Sequence, residues 1–269
     1  MKKKPLLPLL LGLLLLLLFI LMAACPQLFT DCGLKDMFSP WMRPSTGHPL
    51  GTNAMGYDVW TELVYAAKET LYVGLASSIL CLILGTLMGV LSVRKGIVGA
   101  FFNGLINIFV LLPRLICLIV LSGFLGSSRQ NLIALISAFN WVGIARNVRA
   151  KVLHIRQQPF MEALTIQGFS RIHITLYHLL PNLSDVLLSR FLLGVNSCIM
   201  LESTLSFLGF GDLYHPSWGT MINFAYKRGA FLRGAYAYLL SPGACIVLLS
   251  LSFYFISLWF EDKQNNIEE

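Results

Sequence analysis

Long apolar runs constrain the fold of this chain more than any other feature of its sequence. A helix needs about 20 apolar residues to cross a bilayer. The sequence has runs near that length at about 6–24, 68–93, 97–122, 131–147, 183–203 and 238–260. The bilayer core offers no water to backbone groups, so each run should be an α-helix. The sequence therefore predicts an all-α membrane protein with six transmembrane helices.

The positive charges predict how these helices are oriented. The formal net charge is +7, and the bases cluster beside the apolar runs, as the positive-inside rule expects. This placement argues against nucleic-acid binding and predicts that both termini are cytoplasmic. The cytoplasmic bases are Lys2, Lys3, Lys4, Arg94, Lys95, Arg146, Arg149, Lys151, Arg156 and Arg171. Three bases lie on the external side in this scheme, namely Lys227, Arg228 and Arg233. The five bases from Arg146 to Arg171 outweigh them.

The first 25 residues leave two interpretations open. A lysine triplet, a leucine-rich run and the stretch Leu21–Cys25 resemble a lipoprotein signal sequence. The alternative, an uncleaved signal anchor, is favoured because the apolar run is longer than a typical signal of 7–15 apolar residues. Cys25 and Cys32 should face the oxidising side, where they could pair.

The motifs of common enzymes are absent from the sequence. It has no P-loop and no HExxH, GxSxG or SxxK pattern. The histidines are dispersed, so we predict no catalytic residue, no metal site and no cofactor. Glu202 is the only acid that we assign to an apolar run, which is thin support for ion-coupled transport. The energy for any transport should therefore come from elsewhere.

The third run carries Pro113-Arg114 near its middle. Proline removes a backbone hydrogen bond and should kink the helix. An arginine inside the membrane costs about 2.5–3.5 kcal/mol on insertion scales, so it should face a cavity or a partner. Two interpretations stay equal: the residue lines a transport pathway, or it pairs or snorkels at a subunit interface. Pro113, Arg114 and Glu202 are the candidate pathway-lining residues.

The second run contains a small-residue motif. Gly85 and Gly89 lie four residues apart, so they share one face of a helix. Spacing of this kind lets two helices approach closely. It is common in membrane bundles and predicts packing, not a particular function.

A polar island runs from Glu162 to Asn182 between two apolar runs. Pro159 interrupts the helical pattern before it, Gly168 breaks it, and Pro181 is predicted to end it just before the fifth run. We therefore predict a pair of short helices hinged at Gly168. Such a segment is either a solvated linker or the surface that meets a soluble partner.

The spacing within the island resembles the EAA motif of ABC importer permeases. Glu162-Ala163-Leu164 is followed by three residues, Gly168, nine residues and then His178-Leu179-Leu180-Pro181-Asn182. The family's consensus is EAA, three residues, G, nine residues, I-x-LP, and the spacing agrees throughout. The histidine and the final LPN resemble the dipeptide, oligopeptide and nickel branch.

Four further blocks resemble that branch in the same order. They are His48–Thr52 (HPLGT), Trp141–Arg149 (WVGIARNVR), Glu202–Gly211 (ESTLSFLGFG) and Pro216–Met221 (PSWGTM). The chain also departs from the family pattern at four positions. Leu164 replaces the second alanine, Arg114 stands where a small residue is usual, and Asn53 and Tyr57 replace Asp and Arg.

The resemblance implies an ABC type I importer permease in the inner membrane, with a cytoplasmic coupling loop. It would form half of the pathway for peptides or nickel and other metal complexes. The implied partners are a second homologous permease subunit, cytoplasmic ATP-binding subunits, an external solute-binding protein and membrane lipid. An ion-coupled secondary transporter and a non-transporting membrane scaffold remain alternatives.

The resemblance also assigns roles along the chain. Residues 1–66 would be an N-terminal membrane anchor and external segment, 67–260 the transmembrane domain and 261–269 a cytoplasmic tail. The residues that couple to the ATPase would be Glu162, Ala163, Leu164, Gly168, His178, Leu180 and Pro181. Near the start of a short helix, Glu162 can cap backbone donors or meet a base of the partner.

Overall fold

The computed structural model describes residues 6–170 and 173–268, and these residues are mainly helical. The helices are α1 (Leu6–Ala24), α2 (Val59–Leu91), α3 (Ile97–Leu111), α4 (Arg114–Leu125), α5 (Arg129–Arg156), α6 (Pro159–Ile166), α7 (Leu180–Asn182), α8 (Ser184–Leu205), α9 (Trp218–Lys227) and α10 (Tyr236–Glu268). Ile174–Leu179 and Ser206–Phe210 form π-helical turns. Four bases of the orientation argument, Lys2, Lys3, Lys4 and Arg171, lie outside the described residues.

The all-α membrane fold is confirmed, although the count of six spans is not reached in full. Within the described ranges, α1, α2, α8 and α10 are long and apolar enough to cross a membrane. The consecutive helices α3 and α4 make a fifth span if the bent pair counts as one. The remaining predicted span, 131–147, lies inside the 28-residue helix α5. That helix is too polar for the same test, yet it packs against α2, α4 and α8.

The third predicted span is broken where the sequence predicts a kink. Leu112 is extended and Pro113 caps α4, so that α3 and α4 meet at an angle of 89°. Proline cannot continue the backbone ladder of α3, and it disfavours a helical conformation in the residue before it. The break leaves Arg114 as the first residue of α4.

Close packing of α2 against α5 forms the centre of the bundle. A Cβ atom on Gly85 would lie 2.8 Å from the Trp141 carbonyl oxygen, and one on Gly89 would lie 2.8 Å from the Ala145 carbonyl oxygen. The two helices run in the same direction, and at their shared end Arg149 donates to the Ser92 carbonyl at 2.6 Å. The close approach predicted from the two glycines is confirmed.

Two buried clusters hold the remaining helices to α2. One contains side chains from α2, α5 and α8, including Val73, Trp141, Val148 and Cys198. The other joins α1, α2, α8, α9 and α10 around Phe19, Val64, Ile199, Trp218 and Phe253. The indole of Trp218 donates to the Leu63 carbonyl at 2.9 Å, which satisfies its buried N–H.

The segment before α2 forms a compact cap at the end of the bundle away from the polar island. Asp58 accepts from the Thr61 N–H at 2.8 Å as the N-cap of α2, and its other oxygen lies 3.0 Å from His48 Nδ1. Asn53 accepts from the Met55 and Tyr57 amides through its side-chain oxygen. An aspartate at position 53 would offer the same acceptor, so this departure from the family pattern preserves the turn.

Candidate functional site

The polar island begins with a short helix that has a defined start and stop. α5 ends at Arg156, and α6 starts at Pro159, whose fixed φ suits the first helical position. α6 ends in a Schellman motif, in which the Phe169 N–H donates to the Leu164 carbonyl at 3.3 Å. Gly168 lies between them at φ +81°, a left-handed conformation that suits glycine. The predicted break at this residue is confirmed.

The outer surface of α6 is largely apolar. Met161 is buried against the bundle, whereas Phe160 and Ile166 are 43% and 80% exposed. Glu162 and Ala163 are exposed as well. No hydrogen bond of the Glu162 side chain to the described residues is present, so the capping interaction predicted for it is not seen. Its carboxylate is therefore available to a partner.

Aromatic side chains that follow Gly168 in the island contact one another. The ring of His173 stacks on that of Phe169, with centroids 4.9 Å apart and planes at 11°. His178 lies next to this pair, 5.7 Å from His173 between ring centroids. The stacked rings therefore order the part of the island that follows Gly168.

The island joins α8 almost without interruption. Leu180 packs on the apolar core, and Leu179 and Leu183 are fully buried in it. The prediction that Pro181 ends the helical segment is wrong. This proline lies in the first turn of α7, where no backbone N–H is required of it, and the helical pattern is interrupted at Leu183 instead.

A cavity of about 460 Å³ opens between α3, α4, α5 and α8. On α5 it is lined by Asn140, Gly143 and Asn147, which share one helix face. It extends roughly 10 Å along α5 at 1.5 Å per residue, toward the end that carries the polar island. Arg114 lines it, whereas Pro113 and Glu202 do not.

Arg114 is fixed at the cavity wall by its neighbours. Its Nη1 donates to Asn140 Oδ1 at 2.5 Å, and the Ser197 hydroxyl donates to the same oxygen at 3.2 Å. The Asn140 amide nitrogen donates in turn to Cys198 Sγ at 3.2 Å. α4, α5 and α8 therefore meet in one polar network at the cavity.

Glu202 does not line the cavity, and its carboxylate instead accepts hydrogen bonds from serine hydroxyls. It is only 1% exposed, and its Oε1 accepts from Ser206 at 2.7 Å and from Ser217 at 2.6 Å. Ser203 donates to the other carboxylate oxygen at 3.3 Å. The candidate pathway role of Glu202 is corrected accordingly, because its oxygens are already used to join α8 to the start of α9.

A second buried acid was missed in the sequence. Glu69 lies in the second apolar run, and its carboxylate is 3.3 Å from Arg129 Nη1 at the start of α5.

Arg129 also contacts Asp212, in the loop before α9. Burial alone would raise the pKa of Asp212. Hydrogen bonds from the Tyr214 amide, the His215 side chain and the Arg129 amide outweigh that effect and lower the pKa. Arg129 thus ties α5 to α2 and to the loop before α9.

The cysteines and other metal-ligating side chains do not form a site in the described part of the chain. Cys25 and Cys32 are both free thiols, so the pairing considered for them is not present in the structure. No group of three or more His, Cys, Asp or Glu side chains in residues 6–170 and 173–268 could hold a metal ion.

Comparisons with known proteins point to a transport family. Residues 81–266 match the family model described as binding-protein-dependent transport system inner membrane component. The dipeptide transport system permease protein DppC of Alkalihalophilus pseudofirmus is 32% identical over 253 residues, 91% of this chain and 81% of that protein. DppC of Bacillus subtilis is 32% identical over 182 residues, 67% of this chain and 57% of that protein.

A solved structure has a similar fold. A chain of the MetNI methionine ABC transporter, in an inward-facing form, aligns with a TM-score of 0.58 and 21% sequence identity. The alignment covers 72% of this chain and 92% of that one. At this level of identity the likeness concerns the fold alone.

Proposed function

The chain belongs to the family of binding-protein-dependent transport system inner membrane components, and we propose that it is the permease subunit through which an ABC importer moves small peptides. Members of this family are multi-pass inner-membrane transport subunits of ABC importers. ATP hydrolysis belongs to the ATP-binding partner subunits, and a solute-binding protein delivers the cargo. The names of the relatives favour peptides over nickel complexes as the cargo.

The exposed surface of α6 carries the coupling proposal. Soluble partners bind through apolar side chains surrounded by polar ones, and Phe160, Ala163 and Ile166 are exposed beside the free Glu162 carboxylate. The helix is short, is stopped at Gly168 and is anchored to the bundle through Met161. A rigid protrusion of this kind can transmit the movement of an ATP-binding subunit to α5.

The other proposed coupling residues connect α6 to the rest of the bundle. Leu164 and Leu180 pack against the apolar core, and His178 lies beside the stacked rings of the island. Gly168 ends α6 and Pro181 continues the chain toward α8. Force on α6 would therefore reach α8 as well as α5, on either side of the cavity.

The proposed assembly contains more than this chain. A second homologous permease subunit would complete the passage, and lipid would surround both subunits. The N- and C-termini would be cytoplasmic, on the same side as α6 and the ATP-binding subunits. The division into an anchor with an external segment (1–66), a transmembrane domain (67–260) and a tail (261–269) is part of this proposal.

Association with the ATP-binding subunits and peptide uptake test the proposal together. Glu162→Lys and Gly168→Asp should reduce both co-purification of the ATP-binding subunits and dipeptide uptake, with membrane levels of the chain unchanged. Asp31→Lys makes the same change of charge in an exposed position of the external segment and should leave both near the wild-type level. Full association and uptake in both α6 variants would refute the coupling role.

A further inference from the structure

The cavity between α3, α4, α5 and α8 has a one-sided charge. Arg114, Arg146 and Arg190 line it, and among the described residues of its wall there is no aspartate or glutamate. The nearest polar neighbours are neutral, namely Asn140, Asn147 and Ser197. Two buried acids of the spans are engaged elsewhere, Glu69 by Arg129 and Glu202 by serine hydroxyls.

The guanidinium groups retain free donors. Arginine carries five N–H donors, and the described contacts of Arg114 use one nitrogen, which bonds Asn140. Arg146 and Arg190 make no hydrogen bond or ion pair within residues 6–170 and 173–268. A cation inside the membrane is costly unless it is paired or hydrated. Arg114 is such a cation, and Arg146 and Arg190 add charge of the same sign toward the cytoplasmic end of the cavity, so the cavity favours an anionic occupant.

The geometry of the wall suits a carboxylate. Asn140 holds the Arg114 guanidinium in place, and a fixed planar guanidinium can bind a carboxylate through two parallel hydrogen bonds. Arg190, Gly194 and Ser197 share the facing side of α8. Gly143 on α5 leaves room between the arginines, because a Cβ atom there would meet no atom within 4 Å.

We propose that this cavity is an anion subsite of the transport passage, in which Arg114, Arg146 and Arg190 receive a carboxylate of the peptide on its way through the membrane. The proposal rests on the peptide-permease function given above. The C-terminal carboxylate, which every unmodified peptide carries, is the group bound. A peptide amide should therefore pass through without being held at this subsite.

Charge-selective labelling of the assembled transporter tests the charge of the cavity. A Gly143→Cys thiol would project into it, and mass spectrometry of the peptide carrying position 143 measures its modification by an anionic sulfonatoethyl and a cationic trimethylammonioethyl thiosulfonate. The anionic reagent should react faster than the cationic one. Arg114→Gln or Arg190→Gln should lower that rate ratio on the order of tenfold. Arg94→Gln, in an exposed turn away from the cavity, should not.

Protection of the same thiol tests the carboxylate. A dipeptide with a free C-terminus should slow labelling several-fold, its C-terminal amide should not, and Arg114→Gln should abolish the protection. Equal protection by acid and amide, or none by either, would overturn the proposal. So would protection by phosphatidylglycerol in nanodiscs with none by the dipeptide, since the occupant would then be a lipid.

The two proposals fail in different ways. The ratio of anionic to cationic labelling rates could stay unchanged in Arg114→Gln and Arg190→Gln. If the complex still contained ATP-binding subunits and took up peptide, that result would refute the anion subsite alone. If no ATP-binding subunit co-purified with the wild-type chain, the proposed function itself would be refuted.

Discussion

The close approach of α2 to α5 gives a prediction whose size can be worked from the structure. In Gly89→Ala the new Cβ atom would lie 2.8 Å from both the Ala145 carbonyl oxygen and the Val148 Cβ atom. These atoms belong to backbone or to a stiff β-branched side chain, so they cannot swing away. Overpacking of this kind costs about 1–3 kcal/mol.

A matched glycine isolates that packing cost. Gly104 is also inside a helix, but a Cβ atom there would meet nothing within 4 Å. Both substitutions gain the same helix propensity, about 0.8–1 kcal/mol in soluble helices. The difference between them therefore reports the contact with α5 and should be about 1–3 kcal/mol in favour of Gly104→Ala.

Thermal unfolding of the purified complex in detergent, followed by tryptophan fluorescence, measures this difference. At about 2–4 °C per kcal/mol for a chain of this size, Gly89→Ala should unfold roughly 2–12 °C below Gly104→Ala. Gly85→Ala should behave like Gly89→Ala, because its Cβ atom would lie 2.8 Å from the Trp141 carbonyl oxygen. Equal midpoints for all three variants would refute the close packing of α2 on α5.

Three further predictions concern the buried acid, the loop before α9 and the orientation of the chain. Glu202→Ala should lower the unfolding midpoint more than Glu202→Gln, because the alanine leaves two buried serine hydroxyls without an acceptor, at about 1–3 kcal/mol each; equal midpoints would contradict this. The folded-state pKa of Asp212 is lowered, so its contribution to stability is present above the unfolded pKa and is lost as pH falls through the folded value. The midpoint difference between wild type and Asp212→Asn should thus shrink below about pH 4, and a constant difference would refute that account. A Gln157→Cys thiol should react with an impermeant reagent only from the cytoplasmic side, and labelling of intact cells would reverse the topology.

Local signals in the sequence predict much of this fold because they depend on few residues. Pro113 breaks the third span since it removes a backbone donor wherever it lies in a helix. Gly168 ends α6 because the left-handed conformation is accessible to it without strain. Apolar runs of about 20 residues likewise define spans without knowledge of their partners. α5 is the exception, since its polar residues are buried by neighbouring helices that its own sequence does not reveal.

The environments of the charged residues could not be predicted because their partners are distant in sequence. Glu202 is satisfied by Ser217, which lies on the far side of the loop before α9. Glu69 pairs with Arg129 from another helix. Arg114 and Arg190 share a cavity wall only after α4 and α8 have packed against α5. A lone buried acid therefore resembled a pathway residue, and the arginine-lined cavity could not be inferred from the sequence.

Site-specific photocrosslinking tests the central claim most directly. A photoreactive amino acid at Ala163, on the exposed surface of α6, should form an adduct with an ATP-binding subunit in the intact transporter. The same group at Leu213, which is 65% exposed in the loop before α9, should form none with that subunit. An adduct of the ATP-binding subunit at Leu213, or none at Ala163 in a complex that transports peptide, would contradict the account.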